Sequence, residues 1–172
     1  MATLTLAAMI SSLMSVRLLT ILQAGGVALA VAVGLGALVG PSQVVTVEIF
    51  IARHHHPIWT KIASVSFVAL GMLTLWAGIP LVWASLGFYG AGIGLESIAR
   101  GTLPLALFGA RGYAKLMGRL AMPSLLAQAT APWIGALLLE RFGAHGPLAA
   151  LSCAAMINVV LALWLAWMVG RR

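Results

Sequence analysis

Six apolar runs, each near the length of a bilayer crossing and separated by short breaks, constrain this chain more than any other feature. A helix needs roughly 20 predominantly apolar residues to traverse a hydrocarbon core of about 30 Å. The first run extends from about Leu4 to Leu22 and stops at Gln23-Ala24-Gly25-Gly26. The second, Ala28 to Ala52, contains Gly40-Pro41, where a kink is expected, and ends at Arg53-His54-His55-His56-Pro57. The third, Trp59 to Trp76, turns through Gly78-Ile79-Pro80 into the fourth, Leu81 to Ile98, so these two should form an antiparallel hairpin. The fifth covers about Leu120 to Leu139 and holds Pro123 and Pro132, and the sixth runs from Pro147 to Val169. The resulting expectation is an all-α integral membrane protein, a single six-span domain over residues 1–172.

Composition leads to the same class. Only 8% of the residues are charged, against about 25% in soluble domains, so a soluble fold of this size could not cover itself. The 19 glycines suit helices that pack closely within a bilayer. Met1 leads almost directly into apolar residues without a basic region or a convincing cleavage site, so the first run is read as a span and not a signal peptide. That abrupt start also suggests a missing preceding segment. Cys153, the only cysteine, lies in an apolar stretch and is expected to be a small packing residue.

The net charge of +7 comes from short basic clusters between the spans, the pattern of a topology signal. No basic stripe with stacking aromatics accompanies it, which argues against nucleic acid as a partner. With six crossings, eight basic residues fall on the side of the two chain ends, namely Arg53, Lys61, Arg100, Arg111, Lys115, Arg119, Arg171 and Arg172. Arg141 and Arg17 fall to the other. Both termini are therefore expected to be cytoplasmic, with cytoplasmic loops at about 53–58 and 100–119, the latter interrupted by Gly101, Pro104, Gly109 and Gly112.

Enzyme signatures are missing from the sequence: there is no glycine-rich loop after a strand, no paired-cysteine metal site and no nucleophile elbow. His54-His55-His56 has the wrong spacing for a closed metal site, and no cofactor is expected. Polar residues within the spans are the candidate site residues, because ionisable groups in hydrocarbon are costly and face an interior or an aqueous cavity. Arg17 either lines such a cavity or snorkels to the outer interface. Glu96 and Arg100, spaced i, i+4, form either a structural ion pair or a proton-sensing or gating contact. Gln128, between Pro123 and Pro132, and Gln43, after Pro41, either satisfy carbonyls freed by proline or contact a solute. Asn158 is expected to hydrogen-bond between helices.

The segments Gly36-Ala37-Leu38-Val39-Gly40-Pro41-Ser42-Gln43, Tyr89-Gly90-Ala91-Gly92-Ile93-Gly94-Leu95-Glu96 continuing to Pro104, and Met117-Gly118-Arg119-Leu120-Ala121 resemble the C-terminal half of bacterial major facilitator superfamily permeases. The resemblance spans essentially the whole chain and implies one half, helices seven to twelve, of a twelve-helix transporter in the bacterial inner membrane. It implies that the first and fourth spans line the solute cavity. Gly40, Glu48 and Arg53 stand at altered spacing where the family carries its cytoplasmic loop signature. The implied partners are the lipid bilayer, a small organic solute, and an N-terminal six-helix half, missing or separate, or a second copy of the chain. The expected function is alternating-access transport, with proton coupling as one option. A six-span scaffold without a transport pathway is the competing expectation.

Overall fold

The computed structural model describes residues 2–52, 57–109, 113–143 and 145–171. These form seven helices: α1 (Ala2–Ala24), α2 (Leu29–Ala37), α3 (Val39–Ala52), α4 (Pro57–Trp76), α5 (Val82–Phe108), α6 (Tyr113–Phe142) and α7 (His145–Gly170). No strand occurs among the described residues.

Among the described residues, five stretches are long and apolar enough to cross a membrane: Ala2–Ala24, Leu29–Ile49, Pro57–Trp76, Tyr113–Phe142 and His145–Gly170. The outer surface matches that role, because Val31, Val45, Trp133, Val160 and many other large apolar side chains are exposed. The fourth expected run falls in α5 apart from Leu81, which caps it, and is not among the five. Its glycines and Glu96 make it less apolar, and α3 and α4 pack along it.

The second run is divided as its proline requires. Helix α2 ends at Ala37, Leu38 takes a tight bond from its N–H to the Leu35 carbonyl at 3.1 Å, and α3 starts at Val39. Pro41 thus sits in the first turn of α3, where its missing N–H costs nothing. Two connections differ from expectation. Helix α5 continues through Pro104 to Phe108, and α6 already begins at Tyr113, so most of the expected 100–119 loop is helical. The apolar residues between the glycines keep this segment in helical register, and the Tyr113 hydroxyl donates to the Gly101 carbonyl at 2.9 Å, tying the two helices together. Of the expected 53–58 loop, Pro57 and Ile58 open α4, while residues 53–56, with the histidine cluster, lie outside the described residues.

Close helix contact is built on glycine. A Cβ on Gly90 or Gly94 would come within 2.7 Å of the Val39 or Gln43 carbonyl oxygen of α3. On another side of α5, a Cβ on Gly92 would meet Val68 and Ser64 of α4 at 2.6–2.8 Å. Backbones approaching this closely gain dispersion contacts that lipid cannot supply. Ile10, Leu13, Met14, Met72, Leu86 and Leu151 form the apolar core between α1, α4, α5 and α7. Cys153, expected to pack inside, is exposed on the surface of α7.

Along α6, Pro132 has no N–H to give the Gln128 carbonyl, and Ser12 of α1 fills the vacancy with a 3.0 Å hydrogen bond. Ser152 of α7 also bonds a carbonyl of a neighbouring helix, that of Met72 at 3.2 Å, but this carbonyl is four residues before Trp76, which has an N–H to offer. Ser12→Ala should therefore cost about 1–2 kcal/mol and more than Ser152→Ala, measured by unfolding in mixed micelles. Equal losses would remove the proline from the explanation.

Candidate functional site

A charged cluster lies at the end of the bundle where the start of α4 meets α1 and the second half of α5. Lys61 is wholly buried, and its Nζ donates to Glu96 Oε2 at 2.6 Å and Oε1 at 2.8 Å. The same ammonium lies 3.5 Å from the Thr3 carbonyl of α1. Ser64, one turn beyond Lys61, places its Oγ 3.0 Å from Glu96 Oε2 and 2.9 Å from the Gly92 carbonyl, so its single proton serves one acceptor at a time. The pair is bidentate and sealed from solvent, which an ion pair in apolar surroundings requires if it is to offset its desolvation.

This arrangement corrects two expectations. Glu96 is ion-paired with Lys61 of α4 and not with Arg100. Lys61, expected as a topology signal near the cytoplasmic end of the third span, is an interior residue. The i, i+4 spacing does keep Glu96 and Arg100 on neighbouring parts of α5, but Lys61 approaches the carboxylate from a helix packed against it, with the geometry of a direct, two-oxygen contact.

Arg100 instead lines a cleft of about 80 Å³ between α1, α5 and α6, together with Leu4, Leu120, Ala121, Ser124 and Gln128. The structure thus brings two expected site residues, Arg100 and Gln128, into one cleft beside the buried pair. The Ser124 hydroxyl is occupied by the Leu120 carbonyl at 3.1 Å. Arg17 lies further along the same α1–α6 seam, where its Nη2 donates to the Pro132 carbonyl at 3.5 Å while its buried Nε has no partner among the described residues. Gln43 is not brought to the cleft: its backbone packs against Gly94 on the α3 side of α5. Asn158, expected to bond between helices, is buried, and its amide oxygen has no hydrogen-bond partner among the described residues.

Lys61 and Ser64 were the site residues missed by the sequence reading. Their signal was present: both lie within an apolar run, and the i, i+3 spacing gives them a common helix face. At the opposite end of the bundle, Gly25, Trp76, Gly78, Phe142 and His145 surround a separate cavity of about 440 Å³. That end offers one titratable side chain among these residues, and no charged pair. Among the described residues, no group of three His, Cys, Asp or Glu side chains is placed to hold a metal ion. Comparison with protein families, curated proteins and solved structures finds no match to this chain.

Proposed function

We propose that this chain forms one six-span half of an alternating-access transporter for a small organic solute, equivalent to helices seven to twelve of the major facilitator superfamily architecture. The observation that carries the reading is the reciprocity of the packing. With α2 and α3 taken as one span, α1 packs on α6, α5 packs on α3, and α4 packs on α7. The first span of each three-helix set therefore contacts the second span of the other set, and the third spans contact each other. That exchange is the pattern of two intertwined three-helix repeats, an organisation on which many secondary transporters are built.

The cleft supports the same reading, because α1 and α5, the two helices that such a repeat relates, share it with α6. In this proposal both termini are cytoplasmic in a bacterial inner membrane, and the cleft is the cytoplasmic end of one cavity wall. An N-terminal six-helix half, or a second copy, supplies the other wall. Glu96 is the carboxylate on which coupling to a proton would act.

Thiol accessibility tests this against a sealed scaffold. In a Cys153→Ala background, Ser124→Cys should react with a membrane-impermeant thiol reagent in inside-out vesicles, as should an exposed Lys115→Cys control. Labelling at Lys115→Cys with none at Ser124→Cys would mean a dry interior, and the scaffold reading would replace the transporter.

A further inference from the structure

We infer that the cleft takes a small organic monoanion, a single carboxylate carrying a short apolar remainder, with Arg100 as its binding residue. The inference rests on the proposal that the cleft belongs to a solute path, and it narrows the class of solute. It starts from the charge balance. Lys61 and Arg100 contribute two positive charges and Glu96 one negative, which leaves plus one among the buried and half-buried charges here, while Lys115 and Arg119 on the neighbouring stretch of α6 are exposed to solvent. Glu96 is held bidentately by Lys61, and no carboxylate or carbonyl among the described residues takes up the Arg100 guanidinium.

Arg100 is half-buried in the cleft wall, so its guanidinium is partly desolvated, and a ligand that brings one negative charge offsets that cost. A dianion would leave the cluster at minus one, a cation would raise it to plus two, and a neutral solute would leave the guanidinium unpaired. Arginine also supplies the planar fork that matches a carboxylate with two parallel hydrogen bonds, which a lysine cannot do.

The rest of the lining sets the remainder of the ligand. Leu4, Met117, Leu120, Ala121 and Leu125 are apolar, and the one hydroxyl, on Ser124, is committed to its own helix. Only Gln128 offers a further polar side chain. A volume of about 80 Å³ corresponds to only a few water-sized groups, so this wall accommodates a short chain and not a sugar or a nucleotide.

The test uses the purified chain in nanodiscs of zwitterionic phosphatidylcholine, which offers no net anionic headgroup to compete, and ligand-observed NMR with butyrate as the probe. Butyrate should bind, while butylammonium, 1-butanol and succinate at equal concentration should displace it weakly. Arg100→Gln should weaken butyrate binding roughly tenfold or more, and Arg100→Lys should recover only part of the loss. No butyrate binding, equal competition by butylammonium or butanol, or full binding by folded Arg100→Gln would each overturn the inference. If Arg100→Gln fails to fold, the competition series on the unaltered chain decides alone. A cleft that labels at Ser124→Cys yet binds no butyrate defeats the monoanion assignment and leaves the transporter reading standing, whereas an unlabelled cleft defeats both.

Discussion

Replacing Lys61 with Met should destabilise the bundle by about 3–5 kcal/mol, because it leaves the Glu96 carboxylate buried without its counter-charge. Met retains most of the volume of the lysine stem, so the loss reports charge and not a cavity. Combining Lys61→Met with Glu96→Gln should restore at least half of it, since the neutral amide no longer needs a cation and Ser64 still lies within hydrogen-bonding distance of that position. The measurement is unfolding of the purified protein in mixed micelles, followed by helical circular dichroism. Arg100→Gln serves as the comparison and should change stability by less than about 1 kcal/mol, because Arg100 is half-exposed and makes no ion pair among the described residues. A loss at Arg100 as large as that at Lys61 would restore the i, i+4 pairing suggested by the spacing alone.

The second large effect is expected at Gly92. A methyl group there would sit 2.7 Å from the Val68 backbone nitrogen and 2.8 Å from the Ser64 carbonyl oxygen, atoms that cannot rotate aside. Gly92→Ala must push α4 from α5, stretching the Ser64 contact to the Gly92 carbonyl and opening the Lys61–Glu96 pair a turn away. Overpacking of this kind costs roughly 1–3 kcal/mol, and the linked polar contacts add to it. Gly118→Ala is the control, with nothing within 4 Å of the added carbon. It should be neutral or stabilising by up to about 1 kcal/mol through helix propensity. Equal behaviour of the two variants in thermal unfolding would contradict the glycine-mediated seam.

The aromatic distribution agrees with a lipid-facing surface. Trp59, Trp76, Trp83, Trp164 and Trp167 are all exposed, and Arg171 stacks over Trp167 with its guanidinium carbon 3.7 Å from the ring centroid. These are positions for amphipathic rings at the headgroup level, where a cation can remain hydrated while its stem covers apolar surface.

The sequence by itself determined that the chain is helical and suited to a bilayer, because the length and apolarity of a run are local properties and hydrocarbon forces backbone groups to pair within a helix. It also placed the break near Pro41, since a missing N–H acts on its own turn whatever surrounds it. It marked Glu96, Arg100 and Gln128 as costly residues for a membrane interior. What tertiary structure alone decided is which charges meet. Lys61 and Glu96 lie 35 positions apart, and only the glycine-lined seam between α4 and α5 brings their side chains to 2.6 Å. Once that pair forms, Arg100 is left without a carboxylate and turns to the cleft shared with α1 and α6. Sequence spacing reports neighbours along one helix, but the pairing of a carboxylate with one of two cations depends on distance and desolvation across helices, and packing sets both.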